Sequence, residues 1–279
     1  MDLTKIKIVA DSSSDLAIFD EISYSAAPLK IITANKEYTD NQALNVEEMV
    51  NDLLKYSGKS STACPSPDDW LSAFSDAEYI FCVTITSNLS GSYNSACTAK
   101  GLYEEQHPDR KVYVIDSFST GPEMQLIIEK ISSSAKNGME FEDICQEIDE
   151  YCKHTGLLFM LESMKNLANN GRVSPLVAKA AGLLGIRIVG RASDHGTLEV
   201  LEKCRGEKKA LPAIVEKMQS FGFSGGKVII DHCFNIEAAQ KLKALILEKF
   251  QNAKIVIGEC RGLCSFYAEK GGFLIGFEH

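Results

Sequence analysis

The chain has 279 residues, 45% hydrophobic and 24% charged, and its 29 Lys and Arg against 38 Asp and Glu leave a net charge of -9. At about 150 residues per domain this length makes about two domains with ample core, which excludes a disulfide-stapled miniprotein, and the ordinary composition excludes intrinsic disorder. Net acidity opposes a sequence-independent grip on nucleic-acid phosphates, and no apolar run approaches the ~20 residues that span a bilayer, so neither nucleic-acid binding nor stable membrane insertion is expected.

The nine cysteines (64, 82, 97, 145, 152, 204, 233, 260 and 264) are odd in number and lack a CxxC pair. Most of them read as small buried hydrophobes, not as zinc or dithiol centres. The N-terminus MDLTKIKIVADSS has no basic start followed by an apolar stretch, and the expectation is a reduced, cytoplasmic protein.

Buried strands are expected over Ile6–Ala10, Tyr79–Thr86, Val112–Asp116, Leu157–Leu161 and Lys227–Asp231, alternating with helical patterns as in an α/β protein. Val46, Met49, Val50, Leu53 and Leu54 share one face of a helix capped by Asn45. A short helix over Ser163–Asn170 closes at Gly171, and another starts near Ser174 and Pro175. Ile186–Val189 and Thr197–Leu201 read as a hairpin about Asp194, His195 and Gly196, followed by helices over Lys208–Phe221 and Ile236–Phe250. The change of pattern between Tyr151 and Asn170 divides the chain into domains of residues 1–160 and 161–279.

Three strand ends run into hydroxyl-rich loops, Asp11–Asp15, Thr86–Ser92 and Asp116–Gly121. Each is expected to lead into a helix, so that hydroxyls, N–H groups and a helix dipole converge on an anion such as a carboxylate or phosphate. The commonest alternative for such residues is helix capping. A fourth polar segment, Ser60–Asp68, precedes a helix holding Trp70, Leu71 and Phe74.

Standard catalytic signatures are missing. Gly225-Gly226-Lys227 runs into a strand and is no phosphate loop. Leu89-Ser90-Gly91-Ser92 lacks the first glycine of a nucleophile elbow, and a serine-dependent acyl-ester hydrolase using Ser90 stands as the alternative reading, with no histidine assigned to it. Asp11 lacks the second carboxylate two residues on that an aspartyl nucleophile would want, and His232 is the one histidine at a strand end.

Together IVADSSSDL, TACPSPDDW, ITSNLSGSYNSA, VIDSFSTG, NNGRVS, LLGIRIV and CRGEKKAL, in this order, resemble the DegV family of bacterial fatty-acid-binding proteins across nearly the whole chain. The resemblance implies two α/β domains with a lipid-binding cleft between them and a long-chain fatty acid, such as palmitate, as ligand. It implies a role in lipid transport or fatty acid metabolism, with no catalysis by the chain itself and no cofactor. A separate fatty-acid kinase subunit would supply ATP and magnesium.

Carried over residue by residue, Thr62 and Ser90 are the carboxylate ligands. Ser13, Ser119, Arg172 and Arg261 fall in the head-group region, and Arg205 falls where the kinase docks. Neutral hydroxyls hold a carboxylate without fully neutralising it. About 14 buried methylenes at ~0.8 kcal/mol each give a gross term near 11 kcal/mol before the costs of binding.

Many relatives carry an H-T-G-P-G segment near the C-terminus where this chain reads ECRGLCSFYAEKGG, residues 259–272, so the histidine is missing: either Arg261 replaces its hydrogen bonding, or the head-group chemistry is different or lost, which touches acyl-phosphate formation more than lipid binding. Cys64 replaces a common glutamine and Asn170 a common glycine. Another amphipathic carboxylate in the same fold is a third reading.

Overall fold

The computed structural model describes residues 2–181 and 185–279, so Leu183 and Leu184 of the LLGIRIV segment lie outside the described residues. In chain order the first part holds β1 (Ile6–Asp11), β2 (Tyr24–Ala27), β3 (Lys30–Ile32), β4 (Glu37–Thr39), α1 (Val46–Lys55), β5 (Ser61–Ala63), α2 (Pro67–Phe74), β6 (Tyr79–Thr84), α3 (Ser92–Gln106), β7 (Lys111–Asp116), α4 (Pro122–Lys136) and α5 (Phe141–Tyr151). There follow β8 (Thr155–Leu161), α6 (Lys165–Asn169), α7 (Pro175–Ala181), β9 (Ile186–Ala192), β10 (Leu198–Arg205), α8 (Glu207–Ser220), β11 (Lys227–His232), α9 (Ile236–Lys249), β12 (Lys254–Glu259), α10 (Gly262–Ala268) and β13 (Phe273–Glu278).

Strands in the order β2-β1-β6-β7 make a parallel four-stranded sheet, and β10-β9-β8-β13-β11-β12 make a mixed six-stranded one. The apolar runs of β1 and β6 are buried on both faces, as a helix-covered parallel sheet requires. A small antiparallel sheet, β4-β3-β5, carries Thr62 opposite Ile31. The fold is α/β with two sheet-centred units, as expected. β8, which a cut at residue 160 would split, pairs along its length with β9 and β13. We propose that the division between the units falls between Tyr151 and Thr155.

Helix α4 ties the two sheets together. It packs against β13, β11 and β8 of one and against β6 and β1 of the other, which is why residues on nearly every side of it are buried. Its first turn rests on Gly276 of β13, where a Cβ would stand 2.6 Å from the Pro122 carbonyl carbon and 2.7 Å from the Glu123 nitrogen. Only glycine admits that approach.

Helix α10 comes from the end of the chain but packs on α1 and on the turn after β1. The Asp40 carboxylate accepts the Gly262 and Leu263 N–H groups at 3.0 and 2.9 Å, and Asp15 accepts the Arg261 N–H at 2.7 Å. Two carboxylates of the first half thus satisfy donors that open the last helix, which fixes where its side chains point.

One expectation is corrected. The Asp11–Asp15 loop enters a single 3-10 turn, Ser12–Ser14, and not a helix, because Asp15 closes it in the left-handed region at φ 59°. Without an aligned run of peptides there is no helix dipole at that loop. The two other hydroxyl-rich loops do precede helices, α3 and α4.

Candidate functional site

A cavity of about 340 Å³ lies between the two halves. Along β8 the residues Leu157, Phe159 and Leu161 face it, the i, i+2, i+4 set of one strand face, which at ~3.3 Å per residue is a wall about 13 Å long. Opposite, α10 presents Leu263, Cys264, Tyr267 and Ala268, the i, i+1, i+4, i+5 face of a helix. Leu29, Ile85, Leu89, Leu274 and the hairpin residues Ala192 and Leu198 complete an apolar lining.

Polar groups gather where β5, α6, α10 and the start of α3 meet. Thr62 Oγ1 and Tyr267 OH are 2.9 Å apart. The end of α6 is tied to that corner by Asn170 Nδ2, which donates to the Ser60 carbonyl at 3.2 Å. Just beyond, Arg172 Nε donates to the Leu89 carbonyl at 3.0 Å and another guanidinium nitrogen donates to the Asn170 carbonyl. Ser90 follows Leu89, and its Oγ accepts the Ser92 N–H at 3.3 Å. Helix α3 begins here behind Gly91 without a side-chain cap, so its first-turn N–H groups add positive potential.

Among the described residues Arg172 is the one charged residue lining the cavity. Burial pushes the Tyr267 phenol and the Cys64 thiol upward from values already above neutrality, so both are neutral donors at pH 7. The corner therefore offers hydroxyls and one cation, and the rest of the cavity is apolar. Such a site suits an amphiphile with an anionic head.

Thr62, Ser90, Ser119 and Arg172, singled out from the sequence, all line this cavity. The Ser119 hydroxyl is buried, turned towards Glu123 without reaching hydrogen-bond geometry. Ser13 and Arg261 do not belong to the wall, and both are corrections. Ser13 is fully buried behind it, its hydroxyl donating to Asp11 Oδ1 at 2.5 Å and lying 3.4 Å from Met124 Sδ. The Arg261 guanidinium is drawn away by the Asn41 carbonyl, at 2.7 Å. Arg205 ends β10 as an exposed side chain.

Asp11 is structural. Its carboxylate accepts from Ser13, from the Ile85 N–H at 2.9 Å and from the Ser92 hydroxyl at 2.6 Å, pinning β1, the loop after β6 and α3 together. The hairpin tip is held over the cavity in the same manner: Thr86 Oγ1 donates to the Gly196 carbonyl at 2.9 Å and Asn88 Nδ2 to the His195 carbonyl at 2.7 Å. A Cβ on Gly196 would stand 2.1 Å from Thr86 Oγ1, so that latch needs glycine, which also holds φ at +67°.

Tyr267 is the residue that sequence reasoning missed. The signal was present in the helical spacing of Leu263 with Tyr267 and of Cys264 with Ala268, within the segment read only as a departure from the family pattern.

Compared with known proteins, residues 5–278 match the family described as "Uncharacterised protein, DegV family". The chain belongs to the DegV family. A DegV domain-containing protein of Streptococcus gordonii is 45% identical over 276 residues, 98% of each chain. Among solved structures, a DegV family protein from Eubacterium eligens loaded with heptadecanoic acid is 44% identical, with a TM-score of 0.96 over 98% of this chain and 99% of that one. The Streptococcus pneumoniae Fatty Acid Kinase (Fak) B3 protein loaded with linoleic acid is 42% identical, also with a TM-score of 0.96 over 98% and 99%. The two α/β units of this chain are thus those of the DegV fold. Among the described residues no helix is long and apolar enough to cross a membrane.

Proposed function

We propose that this protein binds a long-chain fatty acid and presents its carboxylate to a fatty-acid kinase subunit. The observation that carries the reading is the cavity itself: apolar along β8 and α10, with Arg172, its one charged lining residue among the described residues, set among hydroxyls at one corner. The carboxylate is assigned to Thr62, Ser90, Tyr267 and Arg172, and the tail to the β8 and α10 faces. Tail burial supplies affinity and the hydroxyls supply orientation. The structural neighbours loaded with heptadecanoic and linoleic acid support the same reading.

The lipid is the ligand, and ATP and magnesium come with the kinase subunit, for which the exposed Arg205 is assigned a docking role. Nine free cysteines fit a reducing, cytoplasmic setting. The hydrolase alternative using Ser90 lacks support, because the cavity wall offers no histidine or carboxylate as a base beside that hydroxyl among the described residues.

Mass spectrometry of the purified protein, under native conditions and after organic extraction, is expected to reveal a fatty acid at near one-to-one occupancy. Protein that is empty and also refuses added fatty acid after delipidation would overturn the reading. Tyr267→Phe, which keeps the ring and removes one donor, is expected to weaken binding of the delipidated protein by about 10- to 150-fold at roughly 1.5–3 kcal/mol per hydrogen bond to a charged carboxylate. Titration of Tyr267→Phe against Thr62→Ala and the double variant would show coupling, since the two hydroxyls touch.

A further inference from the structure

The cavity is bounded at the Leu157 end of β8 by Phe118, Leu157 and Ala192. Leu161, at the other end, leads directly into α6 and so to the polar corner. Behind the first three residues lies a second hollow, a groove of about 860 Å³ on whose wall the same Phe118, Leu157 and Ala192 stand. Tyr93, Val114 and Leu158 continue that wall on the far side. One layer of side chains therefore separates the two spaces.

Phe118 is the part of this layer that can move. Its side chain belongs to no packed cluster, and the residue is 46% exposed. Its backbone is set in the left-handed region at φ 50°, uncommon for an aromatic residue, and held there by Asp116 Oδ1, which accepts the Phe118 N–H at 3.1 Å as well as the Ser87 N–H. With the backbone held, the χ angles of the exposed ring are the freedom left to this residue.

We propose that Phe118 is the chain-length gate of this protein: with Leu157 and Ala192 it ends the acyl cavity, and the groove beyond receives the methyl end of a longer chain when the ring swings aside. This rests on the fatty-acid reading above and names the residue that sets its specificity. Continuity of the wall from the cavity along Tyr93, Val114 and Leu158 commits that apolar side of the groove to the distal part of the same lipid, while Asp116, Asp149, Lys153 and Arg191 line it elsewhere.

The test is a binding series on delipidated protein with saturated fatty acids of fourteen to twenty-two carbons. Wild type is expected to gain affinity up to the length that fills the cavity and to lose it beyond. Phe118→Ala is expected to raise affinity for the twenty-two-carbon acid relative to the sixteen-carbon acid by about tenfold or more, at ~fourfold per methylene newly withdrawn from water. Phe118→Gly relieves the left-handed backbone and should do the same. Adding Ala192→Phe, which refills the opening, should return the wild-type profile.

An unchanged length profile in both Phe118 variants, with sixteen-carbon binding intact, overturns the gate and leaves the fatty-acid reading standing. A gain that Ala192→Phe does not reverse also overturns it. Failure of wild type to bind any member of the series overturns the reading itself.

Discussion

Alanine at both Thr62 and Ser90 is expected to weaken fatty-acid binding by about 100-fold or more, each lost hydrogen bond to a charged carboxylate being worth roughly 1.5–3 kcal/mol. Both side chains are half-buried in the cavity wall, so their truncation leaves no void in either sheet's core and the fold should persist. The tail still gains its burial energy, and binding should fall without vanishing. The carboxylate loses its fixed direction, so transfer of a phosphoryl group to it by a kinase subunit should suffer more than binding does. Delipidation, reloading and measurement of the dissociation constant check the first effect. Unchanged occupancy in the double variant would reject this corner as the head-group site, whereas an equal loss in both single variants and no further loss in the double would mark the hydroxyls as one coupled unit.

Much of the frame was legible in the sequence because it is local. The apolar runs of β1, β6, β7, β8 and β11 and the faces of α1, α8 and α9 follow from periodicities of two and 3.6 residues, which the chain writes within a dozen positions. Gly171 and Gly196 do sit where a positive φ closes a helix and a turn. The small strands β2 to β5 were not legible, since runs of three or four residues carry too little pattern. β13 escaped for another reason: it is inserted antiparallel between β8 and β11, and its pairing with β8 runs across more than a hundred residues, which no local signal announces.

The site divides the same way. Thr62, Ser90 and Arg172 could be carried over from family motifs because each motif is a contiguous string. Ser13 lies in another such string, IVADSSSDL, and Arg261 in the segment that departs from the family pattern, and both face away: Ser13 bonds to Asp11 two residues before it and lies against Met124 far along the chain, and the Asn41 carbonyl holds the Arg261 guanidinium. Tyr267 enters the site because Asp15 and Asp40 hold the start of α10, 222 and more residues away in sequence, against the first half of the chain. Side-chain direction at a site is a tertiary property, and motif transfer reads only the position.

Stability should rise, not fall, as the pH is lowered from about 8 towards 5. Burial pushes the Glu123 carboxyl up to about 7 and the Asp231 carboxyl up to about 8, and hydrogen bonds from Thr155 Oγ1 to Glu123 and from Gln125 Nε2 to Asp231 only partly oppose it. Asp15, which faces Asp231, is raised by burial and by that like charge. Starting from ordinary values of 4.5 and 3.8, the native state holds protons that the unfolded chain has released, between 4.5 and about 7 at Glu123 and between 3.8 and about 8 at Asp231. The stabilisation is thus fully present below the unfolded values and is lost as the pH climbs through the folded ones. Each tenfold difference in proton affinity between the folded and unfolded chain is worth about 1.4 kcal/mol, so the combined loss is on the order of several kcal/mol, which urea midpoints at pH 5.5, 7 and 8.5 would resolve. The global charge of -9 pulls the same way, because acidification relieves self-repulsion as the chain nears its isoelectric point of about 5.2. Glu123→Gln with Asp231→Asn separates the two causes: the neutral pair keeps the shape and removes the local titrations, so the midpoint should rise at pH 8.5 and lose most of its slope. A wild-type midpoint that increases with pH across this window would mean that these carboxyls are ionised in the native state, with water or a cation reaching α4 between the two sheets.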